Sequence, residues 1–419
     1  MTEPIRAPVA TLDWLPPRVA LRQLVLETAV RVFERAGFGQ VVTPTFEETA
    51  LFSRTAGEAS DIVSKEMYSF TDKGDRRLTL RPEGTAPVVR AYLEHGLARE
   101  AQPVKLWYFA PMFRYAKGQR GRYREHWQFG VESLGSDDPA VDAEVISLQA
   151  AWFRELGLLD GLELELNSIG DSACRPAYRT LLVDYLERYR SELSPESQGR
   201  LDINPLRIFD SKDEGDRKIV QDAPRITDHL CGPCAEHFAG VRSFLDAAGV
   251  AYRVTPELVR GIDYYERTAW EWVIPGGGPQ AGTISGGGRY DGLAEQIGGK
   301  RVPGVGFGCG TERVVLALEE AGVEPPLPVV DWFCACDDPA ARPALLGLVE
   351  SARSRGLASQ VDLAGRSLKG QLRHAERLRA RVVTVCRAGD GERGIVRHGE
   401  TEIAFGDVVN YVERSVQER

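Results

Sequence analysis

The stretch Met112–Glu132, MFRYAKGQRGRYREHWQFGVE, reads as two strands joined by a long basic loop. Phe109 to Phe113 is apolar enough for the first strand, and Gly118 and Gly121 punctuate the turn. Tyr123 to Glu132 mixes aromatic and polar residues, as a return strand lining a polar pocket would. The loop carries Lys117, Arg120 and Arg122 between Arg114 and Arg124, and no acid interrupts that run. A guanidinium fork matches phosphate oxygens in pairs and keeps its charge when partly buried. Gln128 and Glu132 are an even number of residues apart, so a strand presents both on one face. The hairpin is thus a candidate site for a polyphosphate or a nucleic-acid end. The competing reading is a solvated basic loop, and residues elsewhere in the chain must decide between them.

Upstream, Val19–Ala36 has helical apolar spacing and Gly37 ends it, while Gln40–Glu47 reads as a strand interrupted by Pro44. Leu78–Arg81 is a further strand, followed by the turn Pro82–Thr85 and a helix over Ala86–Glu94; Val104–Phe109 leads into the hairpin. Downstream, Ala140–Leu156 reads as an amphipathic helix, and Leu162–Leu166 alternates as a half-buried antiparallel strand does. Residues 171–250 are charged and helical, with the breakers Pro195, Pro205 and Pro224, and read as an inserted α-helical module. Strand patterns return at Tyr252–Val259, Thr268–Ile274 and Thr283–Gly288, with a turn at Gly276–Gly278. A glycine-rich run, Val302–Gly310, enters a helix over Thr311–Glu320. The proline-rich segment Ala321–Val330 marks a boundary. Past it, strands at Trp332–Cys336, Ser359–Leu363 and Arg381–Cys386 alternate with helices at Ala340–Arg355, Ser367–Leu378 and Phe405–Arg414. The expected organisation is an α+β domain over 1–325 carrying the insertion, and a small α/β domain over 326–419.

The chain has 419 residues, 43% hydrophobic and 27% charged, ordinary for a globular protein with an ample core. Its net charge of −9 disfavours indiscriminate nucleic-acid binding but leaves room for a specific RNA held by local basic patches. No apolar run is long enough to span a bilayer, and the N-terminal residues lack the apolar core of a secretory signal, so a cytoplasmic location without membrane partners is expected. Seven cysteines at scattered spacings propose no disulfide framework. Cys231-Gly-Pro-Cys234 has redox spacing but follows a polar stretch rather than a strand. As a metal site it needs a second ligand pair, and Cys174 and His237, the nearby candidates, complete no known pattern. No metal ligands are assigned.

Four further places concentrate polar groups that a fold alone does not need. Glu83, in Arg81-Pro-Glu-Gly-Thr85, offers a carboxylate to an ammonium group, unless it merely caps a solvated turn. Gln128 and Glu132 share a strand face. Arg260, Asp263, Tyr264 and Tyr265 follow a strand without an amphipathic rationale, and a packed aromatic corner is the alternative. Gly306-Phe-Gly-Cys-Gly310-Thr-Glu-Arg313 enters a helix, where glycines permit close approach and the N-terminus favours anions. Its spacing fits neither a dinucleotide fingerprint nor a P-loop. Arg114, Arg260 and Arg313 together suit a triphosphate, while Glu83 and Glu132 suit an amine and a hydrogen-bonding ring. Such cations stabilise charge moving onto phosphate without a protein nucleophile.

With these residues in place, the chain resembles the histidyl-tRNA synthetases of bacteria, class II aminoacyl-tRNA synthetases, along nearly its whole length. Gly37 to Pro44 looks like motif 1, whose proline sits at a dimer interface; Phe113 to Glu132 looks like motif 2, and Gly306 to Arg313 looks like motif 3. The stretches Leu258–Tyr265 and Gly286–Leu293 are similar to signatures specific to that family, and 57–70, Leu80–Thr85 and Gly365–Lys369 also fit. The resemblance implies an antiparallel sheet flanked by helices, a helical insertion and a C-terminal anticodon-binding domain. It implies a homodimer that uses ATP with Mg2+, L-histidine and tRNA(His) through a histidyl-adenylate. By the family pattern Arg114 and Arg260 are catalytic, and Arg114, Arg122, His126 and Arg313 bind ATP. Glu83, Thr85, Gln128, Glu132, Tyr264, Tyr265 and Tyr290 bind histidine, and Gln119, Arg124, Lys369 and Arg373 face tRNA. The sequence departs from the pattern at Ala116, where the family has an acid for the adenine amino group. It departs again at His126, where a phenylalanine stacks on adenine, and at Thr311, where an aliphatic residue is usual. The alternative is a paralogue that regulates histidine biosynthesis. Such chains lose the C-terminal domain and erode the arginines that this sequence keeps.

Overall fold

The structure is a computed structural model that describes residues 3–55, 65–260, 264–276, 282–326 and 329–418. Two compact units divide at Pro325 and Pro326, inside the proline-rich segment.

The first unit is organised on an eight-stranded sheet. Its strands in chain order are β1 (Gly39–Gln40), β5 (Val104–Phe113), β6 (Glu125–Leu134), β7 (Glu163–Ser168), β8 (Arg253–Val254), β9 (Glu266–Val273), β10 (Thr283–Arg289) and β11 (Gly304–Gly310). A separate three-stranded sheet holds β2 (Phe46–Glu48), β3 (Tyr68–Thr71) and β4 (Arg77–Leu80). Across the large sheet the order is β1-β5-β6-β11-β10-β9-β7-β8; the inner pairings are antiparallel, and only the two outermost are parallel. β5 and β6 are the long hairpin expected from Met112–Glu132, and their register puts Phe109 opposite Phe129 and Ala110 opposite Gln128. Pro111 is tolerated within β5 because β1 pairs only as far as Trp107 and leaves that edge open.

One face of this sheet is closed by the helices Arg18–Arg35, Pro139–Glu155 and Gly232–Ala247. Between them and the strands lies an aromatic core in which Phe109 stacks on Phe129 at 4.4 Å and Trp152 packs on Phe33, Phe129 and Phe153. The helices Arg175–Glu187, Pro195–Ile203 and Glu214–Gln221 instead share a small core of their own, with Leu182, Leu186, Leu201 and Ile208 fully buried. Gly232–Ala247 belongs to the sheet core through Phe238, Val241 and Leu245.

Two strand expectations change. The Gln40–Glu47 pattern is split at Pro44, with Gln40 on the large sheet and Phe46 on the small one. The buried Arg81 guanidinium spans that break, donating to the carbonyls of Thr43 (2.8 Å), Pro44 (3.2 Å) and Pro111 (2.9 Å), so Arg81 is structural. The Tyr252–Val259 pattern yields only Arg253–Val254. Pro256 carries no ladder donor, and the Asn167 amide holds the Pro256 and Leu258 carbonyls in an irregular path. The Gly276–Gly278 turn lies largely outside the described residues, as do residues 57–64 of the 57–70 stretch and 261–263.

The second unit is a five-stranded sheet in the order Ser359–Val361, Trp332–Cys336, Val382–Cys386, Ile395–His398, Thr401–Ala404. Its first three strands are parallel and separated by helices, as the alternation predicted. The closing hairpin, Ile395–Ala404, escaped the sequence reading because its strands are rich in charged and polar residues. Lys369, Arg373 and Arg377 lie along the exposed face of the helix Leu368–Arg377, while Gln371 and Ala375 are buried.

No helix among the described residues is long and apolar enough to cross a membrane.

Candidate active site

The return strand β6, the glycine-rich β10 and β11 and the hairpin loop enclose a cavity of about 440 Å³. Glu83, Thr85, Arg114, Arg122, His126, Gln128, Arg260, Tyr264, Tyr265 and Arg313, singled out from separate segments, all line it.

The strand glycines explain how so many long side chains fit over one sheet. A Cβ on Gly286 would lie 2.3 Å from Arg260 Nη1, one on Gly306 1.9 Å from Glu132 Oε2, and one on Gly308 1.8 Å from Gln128 Nε2. On Gly288 it would meet the Tyr265 ring at 2.6 Å, and on Gly304 the Tyr290 ring at 2.5 Å. The glycines therefore make room for the site's own side chains, which the sequence reading had assigned to a ligand or another backbone.

The pocket floor is set by charge burial. Glu83 accepts from the backbone N–H groups of Thr85 (2.6 Å) and Ala86 (3.0 Å) at the start of the helix Thr85–Glu94. Burial still raises its carboxyl pKa above the ordinary range, with these hydrogen bonds and Arg114 opposing the rise. Glu132 is fully buried one layer below the cavity; Thr85 Oγ1 donates to its Oε1 at 2.7 Å and the Tyr290 hydroxyl to its Oε2. Desolvation pushes the Glu132 carboxyl up to about 8, against those two hydrogen bonds. The tyrosines Tyr264, Tyr265 and Tyr290 form a ring cluster beside it, with Tyr290 edge-to-face against both others. Gln128 Oε1 is buried with no protein partner among the described residues.

The cations surround the same space. Arg114 Nε donates to the Pro82 carbonyl at 2.7 Å, which fixes its guanidinium beside Glu83. Arg260 Nη1 pairs with Glu271 Oε1, and Glu271 Oε2 accepts from Thr283 Oγ1 at 2.9 Å. Arg313 donates to the Thr283 carbonyl and, at 3.4 Å, to that of Gly121 in the loop. Burial first, and then Arg114, Arg313 and Arg122, pull the His126 imidazole down to about 3, so it is a neutral ring at physiological pH. Arg122 also pairs with Glu66 at 2.8 Å, and Arg124 lies 3.9 Å over the Tyr115 ring. Gln119 is exposed at the loop tip, where it exchanges backbone hydrogen bonds with Arg122.

Four charged lining residues escaped the sequence reading as site members: Glu66, Arg207, Glu271 and Glu312. Glu271 had a signal, since it is the charged residue between the buried Trp270 and Trp272 of a strand. Glu312 sat inside a quoted motif; its Oε1 accepts from the Trp127 N–H at 2.9 Å, and burial raises its carboxyl to about 7. Arg207 comes from the helical segment, and only the tertiary fold brings it to the cavity. Within Gly286–Leu293, Arg289 and Asp291 prove structural. Arg289 is fully buried between Asp142 and Asp291, and Asp142 also receives His237 at 3.3 Å. Although burial acts to raise it, Arg289 and His237 hold the Asp142 carboxyl down to about 2.

An antiparallel-dominated sheet flanked by helices, with three arginines and a buried carboxylate–tyrosine set on one face, defines a class II aminoacyl-tRNA synthetase catalytic unit. The model of the family described as histidyl-tRNA synthetase matches residues 11–175. A histidine–tRNA ligase of Moorella thermoacetica is 47% identical over 97% of both chains, and one of Desulforudis audaxviator is 47% identical over 99% of both. The crystal structure of apo histidyl-tRNA synthetase from S. aureus superposes with a TM-score of 0.80 at 35% identity, over 98% of this chain and 100% of that one. The chain belongs to the histidyl-tRNA synthetase family.

Proposed function

We propose that the protein ligates L-histidine to tRNA(His) in two steps at the β6–β10–β11 cavity. The observation that carries this reading is the convergence of Arg114, Arg260 and Arg313 with the buried Glu132–Thr85–Tyr290 set. In the first step the histidine carboxylate oxygen bonds to the α-phosphorus of ATP, and the bond to pyrophosphate breaks. Arg114 and Arg260 face the charge that develops at that phosphorus, and Arg313 holds the distal phosphates. In the second step a hydroxyl of the terminal tRNA ribose attacks the activated carbonyl and AMP leaves. Glu83, Thr85 and Gln128 orient the amino group, with Gln128 Oε1 as the acceptor that has no protein partner among the described residues. Glu132 and Tyr265 read the imidazole, and Tyr264 and Tyr290 wall it in.

Adenine recognition differs from the family pattern. Ala116 offers no hydrogen-bond acceptor beyond its backbone, whereas Glu66 places a carboxylate on the same cavity wall. His126, held neutral, supplies a flat ring for stacking. A magnesium ion bound with the nucleotide would neutralise phosphate charge. Glu312 fits it, since its Oε2 is buried without a protein partner among the described residues and a nucleotide-bound magnesium takes one or two carboxylates. Gln119 and Arg124 on the loop face the acceptor end of the tRNA, and Lys369 and Arg373 contact the anticodon stem backbone. The exposed apolar residues Val42, Phe46 and Phe70 around the motif 1 proline support a homodimer through that surface, and sedimentation equilibrium at twice the chain mass is expected. A cytoplasmic location accords with this role.

Histidine-dependent exchange of labelled pyrophosphate into ATP is the direct test. Folded protein should catalyse it with histidine and with no other amino acid. Absence of exchange would favour the regulatory paralogue, a reading that the retention of all three arginines opposes.

A further inference from the structure

The CxxC pair that the sequence left without partners acquires them in the fold. Asp171, Cys174, Cys231 and Cys234 each bring one ligand atom within 4.8 Å of all the others. Cys174 Sγ lies 3.8 Å from Cys234 Sγ and 3.7 Å from Asp171 Oδ1, and Cys231 Sγ lies 3.9 Å from that same oxygen. Tetrahedral zinc bound to thiolate at about 2.3 Å requires sulfur–sulfur edges of about 3.8 Å. The Asp171 backbone N–H donates to Cys174 Sγ at 3.3 Å, the kind of outer contact that orients a ligating thiolate. Arg267 lies at 3.4 Å from Asp171 Oδ2, on the side away from the sulfurs' shared oxygen, and offsets the charge of an anionic ligand set. Gly170 has φ +62°, and a Cβ there would lie 2.6 Å from Cys174 Sγ, so the backbone must pass close beneath that sulfur.

We propose that these four side chains form a closed structural site for zinc, with three thiolates and one carboxylate. The chain uses it as a clasp. Asp171 and Cys174 lie just after β7, where the helical segment departs, and Cys231 and Cys234 lie at the start of the helix Gly232–Ala247, where it returns. Arg175, next to Cys174, donates to the Tyr265 carbonyl, which links the clasp to the wall of the active site. An Asx turn explains the 2.9 Å bond from the Ala173 N–H to Asp171 Oδ1, but not the arrival of three sulfurs within 4.8 Å of that carboxylate. A dithiol redox site needs two sulfurs; here a third sulfur and a carboxylate join them, and the pair follows a 3-10 turn at Ile226–Asp228 rather than a strand. His237 is not a ligand, being held by Asp142.

The full-length protein, produced without a metal-binding tag and kept reduced, is assayed for metal by mass spectrometry and titrated with Zn2+ and Co2+. About one zinc per chain is expected, and the cobalt form should show intense thiolate-to-metal charge-transfer absorption. Zinc-edge X-ray absorption should resolve three sulfurs and one lighter ligand. The Cys174→Ser/Cys234→Ser double variant should lose at least nine-tenths of the metal, whereas Asp171→Cys should retain it. The proposal fails if reduced wild-type protein carries and takes up no metal, if the absorption edge shows a different ligand set, or if the double variant keeps its zinc. It also fails if, in protein purified without reductant and stripped of metal by a chelator, Cys231 and Cys234 resist alkylation until a reductant is added, which would mark a disulfide. Should the double variant not fold, the ligand count on wild-type protein decides alone.

Discussion

Replacing Arg260 by histidine is expected to lower the rate of histidine-dependent pyrophosphate exchange by about 10²–10³-fold, the usual cost of removing one group aimed at developing transition-state charge. Arg260 reaches the cavity from the end of an irregular segment, and its side chain is only 17% exposed. Its partner Glu271 keeps the hydrogen bond from Thr283 Oγ1 after the change, so the site is not left with an isolated buried carboxylate. Thermal melting should therefore shift by a few degrees at most, and the loss should appear in kcat more than in the KM for ATP, because Arg114 and Arg313 remain. A melting temperature that collapses in parallel with activity would return Arg260–Tyr265 to the role of a packed aromatic corner.

The second large effect is expected at Glu132. Glu132→Gln keeps the volume but replaces a charge-capable acceptor by an amide, and it should reduce kcat/KM for histidine by on the order of 10²-fold. The ATP KM should stay within about twofold, since Glu132 lies below the cavity and pairs with Thr85 and Tyr290 rather than with the arginines proposed to hold phosphate. The substitution also has a signature in stability. The folded carboxyl titrates at about 8, far above its unfolded value, so ligand-free protein retains a proton that the unfolded chain has lost between the two. The resulting contribution to stability is complete below the ordinary carboxylate range and declines as pH rises through about 8. In Glu132→Gln that decline should vanish, leaving a flatter melting-temperature profile between pH 5 and pH 8, on the principle that an amide does not titrate there. An unchanged histidine KM together with an unchanged pH profile would remove Glu132 from side-chain recognition.

Part of the site was legible because its residues sit on regular elements. Even spacing on β6 announced that Gln128 and Glu132 share a face, and the basic loop beside them made phosphate the candidate ligand. The glycine run Gly306–Gly310 was recognisable as special, but its purpose was not. Only the tertiary structure, which sets Gly306 against Glu132 and lays the Gln128 side chain over Gly308, shows which side chains occupy the space a Cβ would fill. The segment Gly286–Leu293 is the opposite case. Its polar residues look equally functional in sequence, yet Tyr290 faces Glu132 while Arg289 and Asp291 vanish into a buried ion network with Asp142. Alternation along β10 ends at Arg289, and no local rule says which way the following residues turn.

The sequence by itself determined the types of most elements, the boundary near Pro325, most of the polar residues of the cavity and the family they resemble. These are properties of near neighbours: helical and strand periodicity, turn residues, and motif spacing. The tertiary structure decided the strand order, and with it the meeting of residues such as Glu83 and Arg313, far apart along the chain. It also supplied Glu271 to Arg260, brought Arg207 from the helical segment, and gave Cys231 and Cys234 their companions Cys174 and Asp171. The reason is physical: each of these meetings depends on chain closure across long loops, which is driven by burial of the whole sheet core and leaves no mark on the residues between.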